Sequence, residues 1–371
     1  MKQYQVAIVG GGLAGLSLSI TLARAGLSVA LVESGNYPRH KVCGEYVSME
    51  SYRFLCELSP ELEHLNLPKI KRFQLTATGK SETHLNLDLG GLGISRFLLE
   101  NLLYEQAMLA KVDVLTHTKA HDVVQRGSNF LLNTTQGTLH AQLVCGSFGK
   151  KSVMEKALGT GLGWKQNYVG VKYHVKTNHP EDLIAIHSFP GGYCGISNVE
   201  SGVSCLCYIV NSNFLNRSEN SIEKLERLYL DQNSNLKHIF NTGEFLWEKP
   251  LAISNIHFGI QATEKQHVLL LGDAAGCIAP ITGNGMSMAL RGSWYMAQLI
   301  LQFFAGKITR QQLEEDYLQY WAGQFSTRIR LSRHLQKLAE VPALTNMAIG
   351  LFNFIPGLGN GIVKLTHGKP F

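Results

Sequence analysis

The segment His40-Lys41-Val42-Cys43-Gly44-Glu45-Tyr46 sets a thiol, a glycine and a carboxylate almost side by side, just beyond the turn residues Asn36 to Arg39. In a loop, a thiol and a carboxylate can exchange a proton with whatever lies against them. Two glycine-rich segments elsewhere in the chain indicate what that is.

The first is Gly10-Gly11-Gly12-Leu13-Ala14-Gly15, which follows the β-branched run Gln5 to Gly10. A helical pattern comes next (Leu16, Leu18, Ile20, Leu22, Ala23), and Gly26 ends it. A second strand-like run, "SVALVE", closes on Glu33. Strand, glycine turn, helix, strand and acid together form a dinucleotide fingerprint. Gly10 allows the tight turn, Gly12 lets the backbone approach a diphosphate, and Gly15 lets helix and strand pack closely. Leu13 and Ala14 open the helix whose positive end faces the diphosphate. The Glu33 carboxylate is placed to accept hydrogen bonds from ribose hydroxyls.

This fingerprint serves FAD and NAD alike, and a distant segment decides between them. The strand-like run His267 to Leu271 delivers Gly272-Asp273-Ala274-Ala275-Gly276. Pro280, Thr282 and Gly283-Asn284-Gly285 follow, and Met286 begins a long helical run. Asp273 is expected beside the diphosphate and ribityl chain. Gly283 and Gly285 let the backbone pass close to a flat ring, and the amide end of the new helix can stabilise negative charge on a reduced flavin.

This pairing resembles the FAD-dependent superfamily of p-hydroxybenzoate hydroxylase, geranylgeranyl reductases and flavin halogenases. "GDAAGCIAPITGNGMSMAL" is most similar to the geranylgeranyl reductase version. That resemblance implies an α/β fold: a Rossmann-like FAD-binding domain of the glutathione reductase type, with an inserted antiparallel β-sheet substrate domain and a helical C-terminal tail. "PRHKVCGEY" resembles the reductases' basic-x-Cys-Gly segment beside the isoalloxazine. The match implies that Arg39 and Lys41 lie near the cofactor and that Cys43 and Gly44 pass close to the ring. Glu45 stands where a second glycine is usual and becomes a candidate proton donor or orienting group, alongside Cys43. "ISRFLLENLLYEQA" resembles the segment in which an arginine starts a helix and contacts FAD, here Arg96. "GGY" at Gly191 to Tyr193 resembles the start of the reductase substrate-sheet motif and adds Tyr193 as a catalytic candidate.

The departures matter too. Gly195 replaces the tryptophan of that sheet motif, and its Phe-Pro is missing, which leaves an isoprenoid substrate open. Phe148 replaces the aspartate of the hydroxylases' Gly-Ala-Asp-Gly segment, and Gly276 replaces their histidine. Lys150 and Lys151 either bind a phosphate or, more simply, face water. Trp164, Trp247, Trp294 and Trp321 stand singly, so the Trp-x-Trp-x-Ile-Pro segment of halogenases is absent.

The chain has 371 residues, 45% of them hydrophobic, enough for one large or two smaller cores. Its formal charge is +6, and no nucleic-acid partner is expected. From Ser326 to Phe371 the charged residues are Arg328, Arg330, Arg333, Lys337, Lys364 and Lys369 against Glu340 alone. Such a tail suits an acidic carrier protein or an anionic membrane surface. Seven scattered cysteines with no C-x-x-C pair suggest a reduced, cytoplasmic setting, with peripheral membrane contact through the tail as an option. Cys205 and Cys207 fall on one strand face and read as packed thiols. Lys2 and Ala23-Arg24-Ala25 imitate a signal peptide, but the glycine turn between them has its own purpose. Val341 to Val363 carries no charge, yet Pro342 and Pro356 make it a helix and a turn instead of a membrane span.

The expected organisation is a discontinuous FAD-binding domain (1–70, 95–155 and 265–305), a substrate sheet (71–94 and 156–264) and a helical cap (306–371). The expected function is hydride transfer between flavin and an unsaturated lipophilic small molecule, with NAD(P)H docking transiently as electron donor. One alternative is an NAD(P)H-dependent monooxygenase acting on a phenolic or polyketide-like substrate. Another is a non-catalytic flavoprotein that binds a partner through its basic tail.

Overall fold

The computed structural model describes residues 2–79, 81–150, 152–159 and 167–371. Lys151 and Trp164, both considered above, lie outside the described residues.

The first apolar run forms the strand Gln3–Val9, near the middle of an eight-stranded sheet. Its neighbours are Val29–Val32 on one side and Gly137–Gly146 on the other, both parallel to it, with Val6 opposite Val29 and Leu143. Val268–Leu270 and Asp113–Leu115 extend the sheet at its two flanks, also in parallel. Parallel strands are covered on both faces, which explains why these segments read as continuous apolar runs without alternation. Ala120–Arg126, Asn129–Thr134 and Gly137–Gly146 make the antiparallel meander expected over 112–145.

The helix Leu13–Arg24 packs against Arg96–Leu109 and Gly285–Phe304. A hydrogen bond of 2.6 Å between the Ser17 and Ser293 hydroxyls joins two of these helices inside the core. Gly10 has φ +105°, and a Cβ on it would sit 2.4 Å from the Ser147 carbonyl oxygen. A Cβ on Gly15 would lie 2.0 Å from the Gly10 carbonyl oxygen. The Ser147 backbone at Gly10, and the Gly10 backbone at Gly15, leave room only for glycine.

The second sheet has nine strands and contains all four runs expected of it: Tyr168–Lys176, Leu183–Phe189, Gly192–Asn198 and Ser204–Asn211. Two corrections follow. This sheet is mixed, not antiparallel, because Leu183–Phe189 runs parallel to Lys69–Thr76. Those strands come from distant segments, so no hairpin dictates their relative direction. Tyr46–Ser48, placed by sequence in the cofactor domain, pairs with Glu82–Gly93 at the edge of this sheet. Three residues are too few for their alternation to reveal a partner.

Within the second sheet, a Cβ on Gly93 would stand 1.7 Å from the Asn198 carbonyl oxygen. The two layers are joined just beyond it. Ser95 caps the helix Arg96–Leu109, with its hydroxyl accepting from the Leu98 amide at 3.0 Å. The Glu200 carboxylate of the second sheet accepts from the Ser95 amide at 2.9 Å and from its hydroxyl. A negative charge there also complements the positive helix end.

The tail is helical, as expected: Arg310–Ala339, Pro342–Phe354 and Pro356–Thr366. Among the described residues no single helix is long and apolar enough to cross a membrane. The last two helices bend by 115° where they meet.

Gly15→Ala is expected to lower stability by about 1–3 kcal/mol, because the Gly10 backbone, with the Ser147 hydroxyl beside it, blocks relief of the overlap. Urea midpoints would show this against Gly361→Ala, where nothing lies within 4 Å of the added Cβ. Equal midpoints for the two variants would contradict the packing role of Gly15.

Candidate active site

One continuous cavity of about 1250 Å³ is lined by both sheets and by the tail. Every site residue expected from sequence lines it except Gly15, whose part is to let helix and strand pack. The cavity has a cationic end at the first glycine loop and an apolar end formed by the second sheet and the last helices.

At the cationic end, Arg39, Lys41 and Arg96 converge on Glu100, whose side chain is fully buried. The distances are 3.5 Å from Arg39 Nε to Glu100 Oε2 and 3.0 Å from Lys41 Nζ to Oε1, and Arg96 is closer still. Burial pushes the Glu100 carboxyl up, but Arg96 and Lys41 outweigh it and hold the group ionised. Burial and the neighbouring Arg96 bring Lys41 down to about 8. Sequence reasoning missed Glu100, although its spacing of four from Arg96 on one helix face was a usable signal.

Glu33 lies as expected at the end of Val29–Val32, but its oxygens are already engaged. Oε2 accepts from the Gly11 amide at 2.7 Å, and Oε1 accepts from the Gly35 amide at 2.7 Å and from Arg39 Nη1 at 2.6 Å. Burial raises its pKa, yet Arg39 and the two amides bring it to about 2. Glu33 therefore braces the glycine turn as well as facing the cavity.

These residues fit a diphosphate. A Cβ on Gly12 would meet only Lys41 Nζ and Arg96 Nη2, at 3.6 and 3.9 Å, so the turn opens toward the cations. The buried Nε atoms of Arg39 and Arg96 have no hydrogen-bond partner. Three cations against Glu33 and Glu100 leave one positive charge in excess for an anion. Lys150 adds to this end: its Nζ lies 3.5 Å from Asp273 Oδ2 and 5.7 Å from the Phe258 ring centre. Burial opposes its charge, but Asp273 raises its pKa above the ordinary lysine value. The expectation that Lys150 faces water is thus corrected. Phe148, in place of the hydroxylases' aspartate, lines the same wall.

Farther along, Gly283 takes φ +63° against the Tyr46 ring, and the helix Gly285–Phe304 starts at the cavity wall. Cys43 packs there, with its Sγ 3.8 Å from Met286 Sδ and accepting from the Glu45 amide at 3.4 Å. No atom of the protein lies within 4 Å of where a Gly44 Cβ would be. Asp273 faces the cavity through its pairing with Lys150.

Glu45 is not the proton donor that sequence allowed. It is fully buried at φ +55°, and both its oxygens are taken. Oε1 accepts from the Arg96 amide at 2.7 Å and from Lys172, and Oε2 meets His174 Nε2 at 2.7 Å. Burial raises its pKa, but His174 and Lys172 lower it below the ordinary carboxylate value, so the group is held ionised. Its role is to tie the cysteine loop to both the helix Arg96–Leu109 and the second sheet. Lys172 and His174 were hidden within an apolar-looking strand. They alternate on one face, opposite Cys207 and Cys205 of the next strand.

Tyr193, the third catalytic candidate, belongs to the strand Gly192–Asn198. It is fully buried in the second sheet, lines the apolar end, and its hydroxyl has no partner. Burial pushes the phenol well above its ordinary value. His367 also lines the cavity: its Nδ1 lies 3.0 Å from the Val363 carbonyl, and its buried Nε2 has no partner. Nothing in the sequence around His367 announced it.

The family model for an FAD binding domain matches residues 3–317. The chain is similar to conditioned medium factor receptor 1 of Dictyostelium discoideum, at 23% identity over 89% of this chain and 69% of that protein. It is similar to ubiquinone hydroxylase UbiL of Rhodospirillum rubrum, at 25% over 81% and 73% of the two chains. Digeranylgeranylglycerophospholipid reductase 1 of Methanococcoides burtonii matches at 21% over 88% and 81%. Among solved structures, the flavin-dependent brominase Bmp2 superposes with a TM-score of 0.83 at 16% identity, over 98% of this chain and 93% of that one. At that identity the likeness is one of fold.

Two pH effects follow. Lys41 carries its charge below about 8, so FAD affinity should fall about tenfold as pH rises from neutral to about 9.5. Fluorescence titration would detect this, Lys41→Arg should abolish it, and a flat profile for the unaltered protein would contradict it. Glu33 is depressed to about 2, so its stabilisation is complete above the ordinary carboxylate value and is lost as pH falls through about 2. Glu33→Gln should cost about 3 kcal/mol at neutral pH, with the gap in urea midpoint narrowing steadily under acid.

Proposed function

The chain belongs to the FAD-binding domain family, and we propose that it is a flavin-dependent oxidoreductase that reduces a carbon–carbon double bond in a lipophilic small molecule. The observation that carries this reading is Tyr193: a buried phenol without a partner, set in an apolar wall of the cavity whose other end suits a diphosphate. Leu75, Ile186, Ile209, Phe352 and Ile362 make that wall, and it offers an oily substrate a dry surface. The motif resemblance to geranylgeranyl reductases and the similarity to the archaeal lipid reductase support the same reading.

When bound, FAD in its reduced form supplies the two electrons as a hydride, with NAD(P)H as the expected external donor. The protein's own part is to place the substrate carbon within about 3–3.5 Å of the ring, to exclude water and to supply the accompanying proton. Tyr193 keeps that proton at neutral pH because burial disfavours the phenolate. Beside bound, reduced FAD a double bond would take the phenolic proton at the carbon next to the one receiving hydride, and solvent would reprotonate Tyr193. The first turn of Gly285–Phe304 offers amides toward negative charge.

A second reading is hydroxylation of an aromatic ring, favoured by the similarity to the ubiquinone hydroxylase. Oxygen consumption separates the two: the reduction proceeds without dioxygen, whereas hydroxylation consumes one dioxygen per oxygenated product. Tyr193→Phe is expected to keep its FAD absorbance while slowing turnover by about 10²–10⁴-fold. An undiminished rate for that variant would rule out Tyr193 as the proton donor.

A further inference from the structure

The helix Pro342–Phe354 is apolar on two faces. Thr345, Ile349 and Phe352 turn inward: the first two are buried and Phe352 lines the cavity. Leu344, Met347, Leu351 and Phe354, at helical spacing, turn outward. Met347 is 72% exposed and Phe354 84%. Ile355 and Leu358 continue the exposed apolar surface around the 115° bend into Pro356–Thr366. Neither helix is long enough to cross a membrane alone, and the bend prevents the two from crossing as one rod. A helix that is apolar all round needs a partner on both sides.

The surrounding charge indicates which partner. No acidic residue occurs from Val341 to Phe371. Arg330, Arg333 and Lys337 lie on one face of the adjoining helix Arg310–Ala339, and Arg330 and Lys337 are exposed. Glu340, the one acid from Ser326 to Phe371, turns inward and accepts from the Tyr168 hydroxyl at 2.6 Å. Arg328, expected from sequence to belong to the basic face, does not: it is buried, 3.6 Å from Glu50. Lys364 is partnered by Asp88 at 2.9 Å.

Leu351 and Leu358 are exposed and also line the cavity. The apolar face and the cavity therefore meet at the same side chains. We infer that the bent pair Pro342–Phe354 and Pro356–Thr366 seats on an anionic lipid leaflet, with Met347 and Phe354 inserted among the acyl chains and Arg330 and Lys337 at the headgroups, so that a lipophilic substrate passes from the bilayer past Leu351 and Leu358. The seating itself does not depend on whether the reaction is reduction or hydroxylation.

Flotation of the FAD-loaded full chain with phosphatidylcholine vesicles, with and without phosphatidylglycerol, tests this without any turnover. The unaltered chain should float with both and more strongly with the anionic vesicles. Met347→Glu combined with Phe354→Glu should weaken binding about tenfold on both kinds. Arg330→Glu combined with Lys337→Glu should weaken it about tenfold or more on the anionic vesicles only. All four side chains are exposed, so FAD absorbance and melting temperature should not change. Three results would overturn the inference. One is no flotation of the unaltered chain at low salt. Another is binding abolished by the charge variants but untouched by the glutamates at Met347 and Phe354, as expected of an acidic carrier protein. The third is a self-associated chain that the same two glutamates dissociate, which would assign the face to a second copy.

Discussion

Three cations cannot be gathered at a glycine turn without a counter-charge, and Glu100 supplies it. Arg39, Lys41 and Arg96 come from two segments nearly sixty residues apart, and each would repel the others if the carboxylate were absent. Breaking such a buried arrangement costs about 3–5 kcal/mol, so the cluster holds the cysteine loop and the helix Arg96–Leu109 in fixed relation before any ligand arrives. The residual positive charge then lies where the turn at Gly12 opens, toward Lys41 Nζ and Arg96 Nη2. The anion site is preorganised, and the cost of assembling it is met during folding instead of at binding.

A second carboxylate does for the two sheets what Glu100 does for the cation cluster. Glu45 binds the amide at the start of Arg96–Leu109 and, through Lys172 and His174, the second sheet. Glu200 reaches back from the second sheet to Ser95. Both acids sit at the same helix start, where backbone amides have no partner of their own. The cysteine loop is therefore clamped from two sides, and its strained residue at φ +55° is held by fixed charges. A residue with both oxygens occupied in this way positions others, whereas Tyr193 and His367 line the cavity with a polar atom still unpartnered.

The tail is joined to the body by a comparable anchor. Arg291 pairs with Glu50, lies 4.2 Å from the Phe371 ring centre and donates to the Lys369 carbonyl. The Glu50 carbonyl accepts from the Phe371 amide at 3.2 Å, and the Asn284 side chain donates to the Thr366 carbonyl at 2.5 Å. Asn284 lies between Gly283 and Gly285, so the end of the chain is fastened directly to the turn before Gly285–Phe304. The C-terminal end of the bent pair is thereby fixed while its outer face stays open.

What the amino-acid order settled by itself was local: the strand–glycine–helix–strand unit, the second glycine turn with its aspartate, and the four strands around Tyr193. Each rests on backbone rules that act over a few residues, namely positive φ, close approach and the periods of strand and helix. The same locality explains the omissions. Glu100 was within reach through its four-residue spacing from Arg96, but Lys172 and His174 became meaningful only when their strand was laid against Glu45. The direction of Leu183–Phe189 and the placement of Tyr46–Ser48 depend on pairings across long loops, which no local pattern encodes. The tail shows the limit most clearly, since charge counting put Arg328 on an outer basic face and folding buried it against Glu50. Composition records how many charges a segment carries. Only three-dimensional packing decides which of them are neutralised inside and which remain for a partner.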